Sequence, residues 1–98
     1  MRQIKFSKNY KDSMKDVKRY PEYKESELKP LLIKLANGET LDPEFRDHAM
    51  ASNSSLKGIR GFHLRGNLVV LYRLTNDTLE LIDIGKHNRV RLTSSYHR

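Results

Sequence analysis

The sequence predicts a single α+β domain in which two helices pack on one face of a mainly antiparallel, twisted sheet, in the order β-α-α-β-β-β. The first half contains two segments whose apolar residues recur at helical spacing. The second half contains three apolar, β-rich segments that are separated by turn residues. The chain has 98 residues and no internal repeat, so we expect one domain, residues 1–98, with a modest core.

An N-terminal strand and a first helix are predicted from an alternating pattern and a capping residue. Residues 2–6 alternate polar and apolar side chains, which is typical of a half-buried strand. Ser7 can cap a helix over residues 8–20, and Pro21 stops it. The apolar side chains that share one face of this helix are Tyr10, Met14 and Val17.

The second helix is predicted to begin between Lys24 and Glu27 and to end at Asn37-Gly38, a sequence typical of a left-handed cap. Its buried face carries four leucines: Leu28, Leu31, Leu32 and Leu35. Pro30 is tolerated only near the first turn, so we expect an irregular start. Residues 39–55 lack strong periodicity and predict a loop that lies over the sheet and carries functional side chains.

Three strands are predicted over residues 59–64, 68–73 and 78–84. Turn residues connect them at 65–67 and 75–77. The middle segment is almost continuously apolar, which is typical of a central strand. Because the helices cover one face of the sheet, we expect the other face to be open to a ligand.

The charge of the chain favours a polyanionic partner. Nineteen Lys and Arg against 12 Asp and Glu give a net charge of +7, which suits nucleic acid or an acidic protein segment. The absence of cysteine excludes disulfides, thiolate chemistry and the commonest zinc sites. No apolar run approaches the roughly 18 residues of a membrane span, so we expect a cytoplasmic protein without a membrane partner.

Three histidines, His48, His63 and His87, lie in a basic part of the chain, and His63 and His87 are the candidate catalytic histidines because histidine exchanges protons near neutral pH. The 2′-OH of RNA can attack the neighbouring phosphate when a base takes its proton, an acid protonates the departing 5′-oxygen, and cations stabilise the phosphoryl oxygens. His63 and His87 could divide the proton transfers. No His-x₃-His pair occurs, so neither a metal nor another cofactor is expected.

Two arginines are candidates for stabilising charge on the phosphate, because the guanidinium fork can donate twice to one phosphate. Arg65 is two residues after His63, so both side chains project to the same face of the sheet if the strand extends that far. Arg91 lies near His87 if the chain remains extended. Asp83 either orients His87 or pairs with a neighbouring arginine.

Over residues 41–48, 56–63, 68–74 and 84–87 the chain resembles the YafQ branch of the RelE/ParE toxin superfamily. These segments contain Asp-His, Lys-Gly-x-Arg, Leu-x-Tyr-Arg and Gly-x-His elements, in the family's order and at near-matching spacing. The resemblance covers nearly the whole chain and implies a RelE-like microbial RNase fold.

The resemblance also implies a function. The chain is expected to be the toxin of a type II toxin–antitoxin pair, a metal-independent endoribonuclease that enters the ribosomal A site and cuts translated mRNA. Its implied partner is a DinJ/RelB-like antitoxin that is acidic and partly disordered. Operator DNA is expected to be contacted only through that antitoxin.

Carried over by matching motifs, the three histidines occupy the positions of the family's functional histidines. His87 is expected to be the general acid and His63 the base, with Arg65 and Arg91 stabilising charge. The residues expected to contact RNA are His48, Lys57, Arg60, Lys86, Arg89 and Tyr96.

The chain departs from the family pattern at three places. Asn67-Leu68 replaces an Asp-Trp pair, Asp83 replaces an arginine, and Arg91 replaces an aromatic residue. Either Arg65, Arg91, Tyr96 or His97 compensates, or the activity is weak. Two alternatives stay open: a ParE-like toxin that inhibits DNA gyrase, and a catalytically degenerate module that only binds antitoxin.

Overall fold

The computed structural model describes residues 1–50 and 58–87. The elements follow in the order β1 (Gln3–Phe6), α1 (Lys8–Val17), α2 (Glu25–Ala36), β2 (His48–Ala49), β3 (Ile59–His63), β4 (Leu68–Leu74) and β5 (Thr78–Lys86). They form one five-stranded sheet of order β1-β5-β4-β3-β2. β1 runs parallel to β5, and the remaining neighbours are antiparallel. This arrangement confirms the predicted α+β fold with a mainly antiparallel sheet.

Helix α1 begins where the sequence predicted but ends earlier. The Ser7 hydroxyl accepts a hydrogen bond from the Tyr10 N–H at 3.0 Å, which confirms the cap. The regular helix ends at Val17, and the chain then tightens into two turns closed by the N–H groups of Arg19 and Tyr20. These turns, and not Pro21, end the helix.

Helix α2 extends from Glu25 to Ala36, and all four predicted leucines are buried. It ends at Asn37, and Gly38 has the left-handed φ of 82° that the cap requires. Pro30 lies inside the helix, beyond its first turn, so the predicted irregular start is wrong. The proline removes an N–H that would bond the carbonyl of Ser26, and that residue is exposed, so water can satisfy the carbonyl.

The main core lies between the helices and the sheet. The leucines of α2 meet the side chains that β3, β4 and β5 direct to the same face. Each fully buried Leu, Val or Phe contributes about 1.5–3 kcal/mol relative to exposure. The largest side chains in the sheet part of this core are Phe62, Leu68, Tyr72, Leu79, Leu81 and Ile84.

Two sequence-based expectations about the sheet are wrong. The segment expected to be a loop joins the sheet, because His48 and Ala49 pair with β3 as the edge strand β2. The face away from the helices is also partly closed, since Ile59, Val69 and Leu71 are buried there with Met50 and Ile82 packed against them. In the part of the chain that the structure describes, neither helix is long and apolar enough to cross a membrane.

Candidate active site

The three histidines singled out from the sequence lie side by side. The ring centroids of His48 and His63 are 6.0 Å apart, with an interplanar angle of 24°. Those of His63 and His87 are 5.5 Å apart, with an angle of 28°. The imidazoles therefore form a row with His63 in the middle, which we call the histidine row.

Strand register explains why residues so distant in sequence meet. His48 pairs with Gly61, which shares a face of β3 with His63 two residues later. Val69 of β4 pairs with His63 on one side and with Gly85 on the other, so Gly85 is level with His63 across the sheet. The third histidine follows Gly85 by two residues, beyond the first residue of β4, so its ring can approach His63.

Arg46, which the sequence reading did not single out, joins two of these histidines. It follows the 3₁₀ turn Pro43–Phe45 in a left-handed conformation, with φ 49° and ψ 45°. Its Nη2 lies 3.3 Å from Nδ1 of His63. Its carbonyl oxygen lies 2.7 Å from Nδ1 of His48.

These two contacts assign different tautomers to the two histidines when both are neutral. A guanidinium can only donate, so Nδ1 of His63 accepts from Arg46 and the ring proton is on Nε2. A carbonyl can only accept, so Nδ1 of His48 carries the proton and Nε2 carries the lone pair. Thus His48 presents an acceptor at Nε2, whereas His63 presents a donor there.

The surroundings of His63 favour the neutral form of its imidazole ring. Partial burial lowers the pKa of its imidazole below the ordinary value. The guanidinium of Arg46 and the neighbouring rings of His87 and His48 lower this pKa further. His63 therefore remains neutral near pH 7, with a proton on Nε2.

A cavity of about 560 Å³ opens beside His63 and is lined in part by Phe45, Arg46 and Arg65. Strand β3 ends at His63, so Arg65 lies in the following turn and does not share a strand face with His63. Its guanidinium instead pairs with Glu27 of α2, at 2.8 Å from Nη2 to Oε2 and 3.3 Å from Nε to Oε1. Arg65 thus borders the same cavity as His63 but is held by a carboxylate.

Lys86, expected to contact RNA, is engaged within the protein. Its Nζ is 3.0 Å from the Glu22 carboxylate and donates to the Gly66 carbonyl at 3.2 Å. It also lies 4.7 Å from the ring centroid of Tyr20. An RNA phosphate would have to compete with these three contacts.

Arg60, a further expected RNA contact, is similarly engaged. Its Nε donates to the Tyr72 hydroxyl at 3.2 Å and lies 3.4 Å from the Asp47 carboxylate. Tyr72 belongs to the almost continuously apolar segment predicted as a central strand, and it is fully buried. Its hydroxyl nevertheless takes part in this polar contact, which residue type alone did not reveal.

Three of the four residues that depart from the family pattern, Asn67, Leu68 and Asp83, lie within the described residues. Asp83 is fully buried and accepts hydrogen bonds from the Ser13 hydroxyl of α1 at 2.6 Å and from the Ile84 N–H at 2.8 Å. The Asp83 side chain therefore lies in the core and is bonded to α1. Leu68 is fully buried, and Asn67 occupies a left-handed position with φ 65° in the turn before β4.

Several expected site residues lie outside the described residues. They are Lys57, Arg89, Arg91, Tyr96 and His97. Within residues 1–50 and 58–87, no group of three or more His, Cys, Asp or Glu side chains is placed to hold a metal ion.

Comparison with known protein families and structures gives a consistent result. The family model described as "Bacterial toxin of type II toxin-antitoxin system, YafQ" matches residues 2–92. A search of curated proteins by sequence gave no match.

Solved structures with the same fold include three structures of toxins from two organisms. E. coli YafQ in its toxin–antitoxin complex with DinJ is 27% identical, with 91% of this chain and 96% of that chain covered and a TM-score of 0.76. E. coli YafQ alone is 25% identical, with 92% and 98% covered and a TM-score of 0.77. A metal-bound toxin from Helicobacter pylori is 26% identical, with 92% and 99% covered and a TM-score of 0.80.

Proposed function

We propose that this chain, which belongs to the YafQ family of bacterial toxins from type II toxin–antitoxin systems, is an endoribonuclease that cleaves translated mRNA on the ribosome. The observation that carries the proposal is the histidine row, with successive ring centroids 6.0 and 5.5 Å apart and Arg46 bound to two of its members. Internal attack by a 2′-OH requires two proton-transfer groups and a cation, and this cluster contains both kinds of group.

His48 is the proposed general base. Because Nδ1 donates to the Arg46 carbonyl, the lone pair of the neutral ring is on Nε2, and the side chain is exposed. Such a ring can accept the proton of a 2′-OH. The sequence favoured His63 for this role, but the lone pair of His63 faces Arg46, so that ring would act as a base only after Arg46 moved away.

His63 and Arg46 are proposed to bind the phosphoryl oxygens. The neutral His63 ring offers its Nε2–H as a donor, and Arg46 supplies a positive charge beside it. Donors held in place before the reaction stabilise the charge that builds up in the transition state. Arg46 thus takes the role that the sequence gave to Arg65.

His87 is the proposed general acid for the departing 5′-oxygen. It lies at the end of the histidine row opposite His48, so base and acid flank the central ring. In an in-line displacement the attacking and leaving oxygens are on opposite sides of phosphorus, and this placement suits that geometry. A positioned acid or base contributes about 10²–10⁴-fold in rate.

Two further cations are proposed to act on the same phosphate or on its neighbours. Arg65 borders the cavity beside His63 and would have to exchange Glu27 for a phosphate. Arg91 keeps the charge-stabilising role expected from the sequence. No metal takes part in the proposed reaction, because side chains supply the base, the acid and the positive charge.

The proposed protein partner is an acidic antitoxin similar to DinJ. The E. coli relative has been solved with DinJ in a toxin–antitoxin complex. The net charge of +7 on this chain supports an acidic partner as well as RNA. We therefore expect the antitoxin and translated mRNA to exclude each other.

The test is cleavage of a defined mRNA by the purified protein, with and without translating ribosomes, followed by mapping of the new 5′ ends. We expect cleavage only on ribosomes, with 2′,3′-cyclic phosphate and 5′-hydroxyl termini. His48→Ala and His87→Ala should each lose about 10²–10⁴-fold in rate. Lys29→Gln, at an exposed position of α2 that does not line the cavity beside His63, is the control for loss of surface charge and should cleave normally.

An intact message with the wild-type protein would refute the proposal. A parallel supercoiling assay with purified gyrase then separates the alternatives that the sequence left open. Loss of supercoiling with RNA intact would identify a ParE-like activity. If neither mRNA cleavage nor gyrase inhibition is observed, the remaining alternative is a catalytically degenerate module that only binds antitoxin.

A further inference from the structure

The segment that carries Arg46 and His48 has few backbone contacts of its own. Strand β2 has only two residues and pairs with β3 at two positions. Arg46, two residues before this strand, adopts the left-handed conformation, which most side chains disfavour. Backbone pairing alone is a weak means of holding these two side chains against His63.

Between them in sequence stands Asp47, and its carboxylate is turned into the protein. The Asp47 side chain is 15% exposed, and both carboxylate oxygens lie 2.7 Å from the hydroxyl of the buried Tyr72. Arg60 closes the group: its Nε is 3.2 Å from that hydroxyl and 3.4 Å from Oδ1 of Asp47. The hydroxyl therefore donates to Asp47 and accepts from Arg60.

The chemistry of the three groups makes this contact durable. Burial and the hydrogen bond to Asp47 raise the pKa of the Tyr72 hydroxyl, so it remains a donor over the whole physiological range. The tyrosine ring is fixed by the core and lies 5.9 Å from the ring of Phe62. Hydrogen bonds to charged groups are shorter and stronger than those between neutral groups.

We propose that Tyr72, Asp47 and Arg60 form a positioning network that fixes Arg46 and His48 against His63. The inference rests on the proposed function, in which those residues touch the RNA. The network itself touches no substrate and acts through the two neighbours of Asp47. A misplacement of about 1 Å at a reacting group can cost about 10²-fold in rate, so a network of this kind matters even though it is remote from the chemistry.

The network is tested by a measurement on His63 that needs no activity. The groups that surround the His63 ring are Arg46, His48 and His87, and the positive charge of Arg46 lowers its pKa. If Tyr72→Phe releases the segment, Arg46 moves off and the His63 pKa, followed by NMR, should rise. The cross-peaks between the rings of His48 and His63 should weaken at the same time.

Matched variants separate positioning from general loss of stability. Tyr10→Phe also removes the hydroxyl of a buried tyrosine, but from α1, and should leave the His63 pKa unchanged. Arg60→Gln is paired with Arg73→Gln, because the two arginines are 40% and 42% exposed and each lies 3.4 Å from a carboxylate. Of these two variants, only Arg60→Gln should change the His63 signals. If Tyr72→Phe does not fold, Arg60→Gln tests the network in its place.

The conservative variant gives a graded readout. Asp47→Asn keeps an oxygen acceptor for Tyr72, whereas Asp47→Ala removes it. We expect about 10²-fold loss of the single-turnover rate in Asp47→Ala and a smaller loss in Asp47→Asn, with the KM for programmed ribosomes little changed.

Failure of this inference is distinguishable from failure of the proposed function. An unchanged His63 pKa and unchanged ring contacts in both Tyr72→Phe and Arg60→Gln would overturn the network, whatever the activity. A shifted His63 pKa in a protein that leaves mRNA intact would sustain the network and overturn only the proposed function.

Discussion

Replacement of Arg46 by glutamine tests the chemistry assigned to the histidine row. The change removes the donor that lies 3.3 Å from Nδ1 of His63 and the cation beside the proposed phosphate site. Loss of one preorganised donor costs about 10²–10³-fold in rate, equivalent to about 2.7–4 kcal/mol of barrier. Glutamine is also a non-glycine residue, so the left-handed backbone at this position is strained equally in both proteins.

The loss should appear more in activity than in stability. Arg46 is exposed, so loss of its hydrogen bond to His63 should lower the free energy of unfolding by about 0.5–1.5 kcal/mol at most, less than the expected effect on the barrier. Single-turnover cleavage on programmed ribosomes measures the rate, and urea unfolding measures stability. Arg73→Gln, which removes an arginine from a cross-strand ion pair at 3.4 Å, is the control and should change the rate little.

Arg46→Lys provides an internal scale, because lysine keeps the charge but not the planar fork. We expect it to lie between the wild type and Arg46→Gln in rate. Arg46→Gln with the wild-type rate and an unchanged His63 pKa would refute the assignment of Arg46 to the site.

Three further predictions concern pH, a buried hydrogen bond and an exposed ion pair. The His63 pKa is lowered in the folded state, so His63 should not affect the free energy of unfolding above about pH 6.5. Below that pH the free energy of unfolding should fall until the pH reaches the pKa of His63 in the folded protein. Urea unfolding at a series of pH values should show a smaller fall in His63→Gln. Ser13→Ala should lower the free energy of unfolding by about 1.5–3 kcal/mol, because it removes a 2.6 Å hydrogen bond to the buried Asp83 carboxylate. The control Ser26→Ala, at an exposed position, should change the free energy of unfolding little in the same measurement. Glu27→Gln should release Arg65 and steepen the salt dependence of ribosome binding, and an unchanged salt slope would mean that Arg65 does not reach RNA. It should lower the free energy of unfolding by at most about 1 kcal/mol, because the Arg65 and Glu27 side chains are 66% and 34% exposed.

Much of the fold was predictable because its elements have strong local patterns. The Ser7 cap, the leucine face of α2 and the turn at Gly38 each depend on neighbouring residues, and the structure confirms all three. Strand β2 was missed because two residues carry no detectable alternation, and only pairing with β3 makes them a strand. The early end of α1 at Val17 likewise had no sequence signal as strong as Pro21.

The site was predictable in its residue types but not in its contacts. Family motifs indicated the three histidines, and the register of the sheet brings them together. The role of Arg46 depends on a left-handed turn that places its carbonyl and its guanidinium at different rings, which composition could not reveal. Asp83 drew attention because it replaces an arginine of the family, and its sequence neighbours did not indicate its buried hydrogen bond to Ser13 of α1.

The central claim is that the histidine row cleaves RNA with His87 as the general acid. The most direct measurement compares cleavage of ordinary mRNA with that of mRNA whose departing 5′-oxygen is replaced by sulfur, on translating ribosomes. A sulfur leaving group needs no proton, so His87→Ala should be slowed about 10²-fold or more on ordinary mRNA and be close to wild type on the sulfur-substituted mRNA. Equal slowing on both substrates would contradict the account.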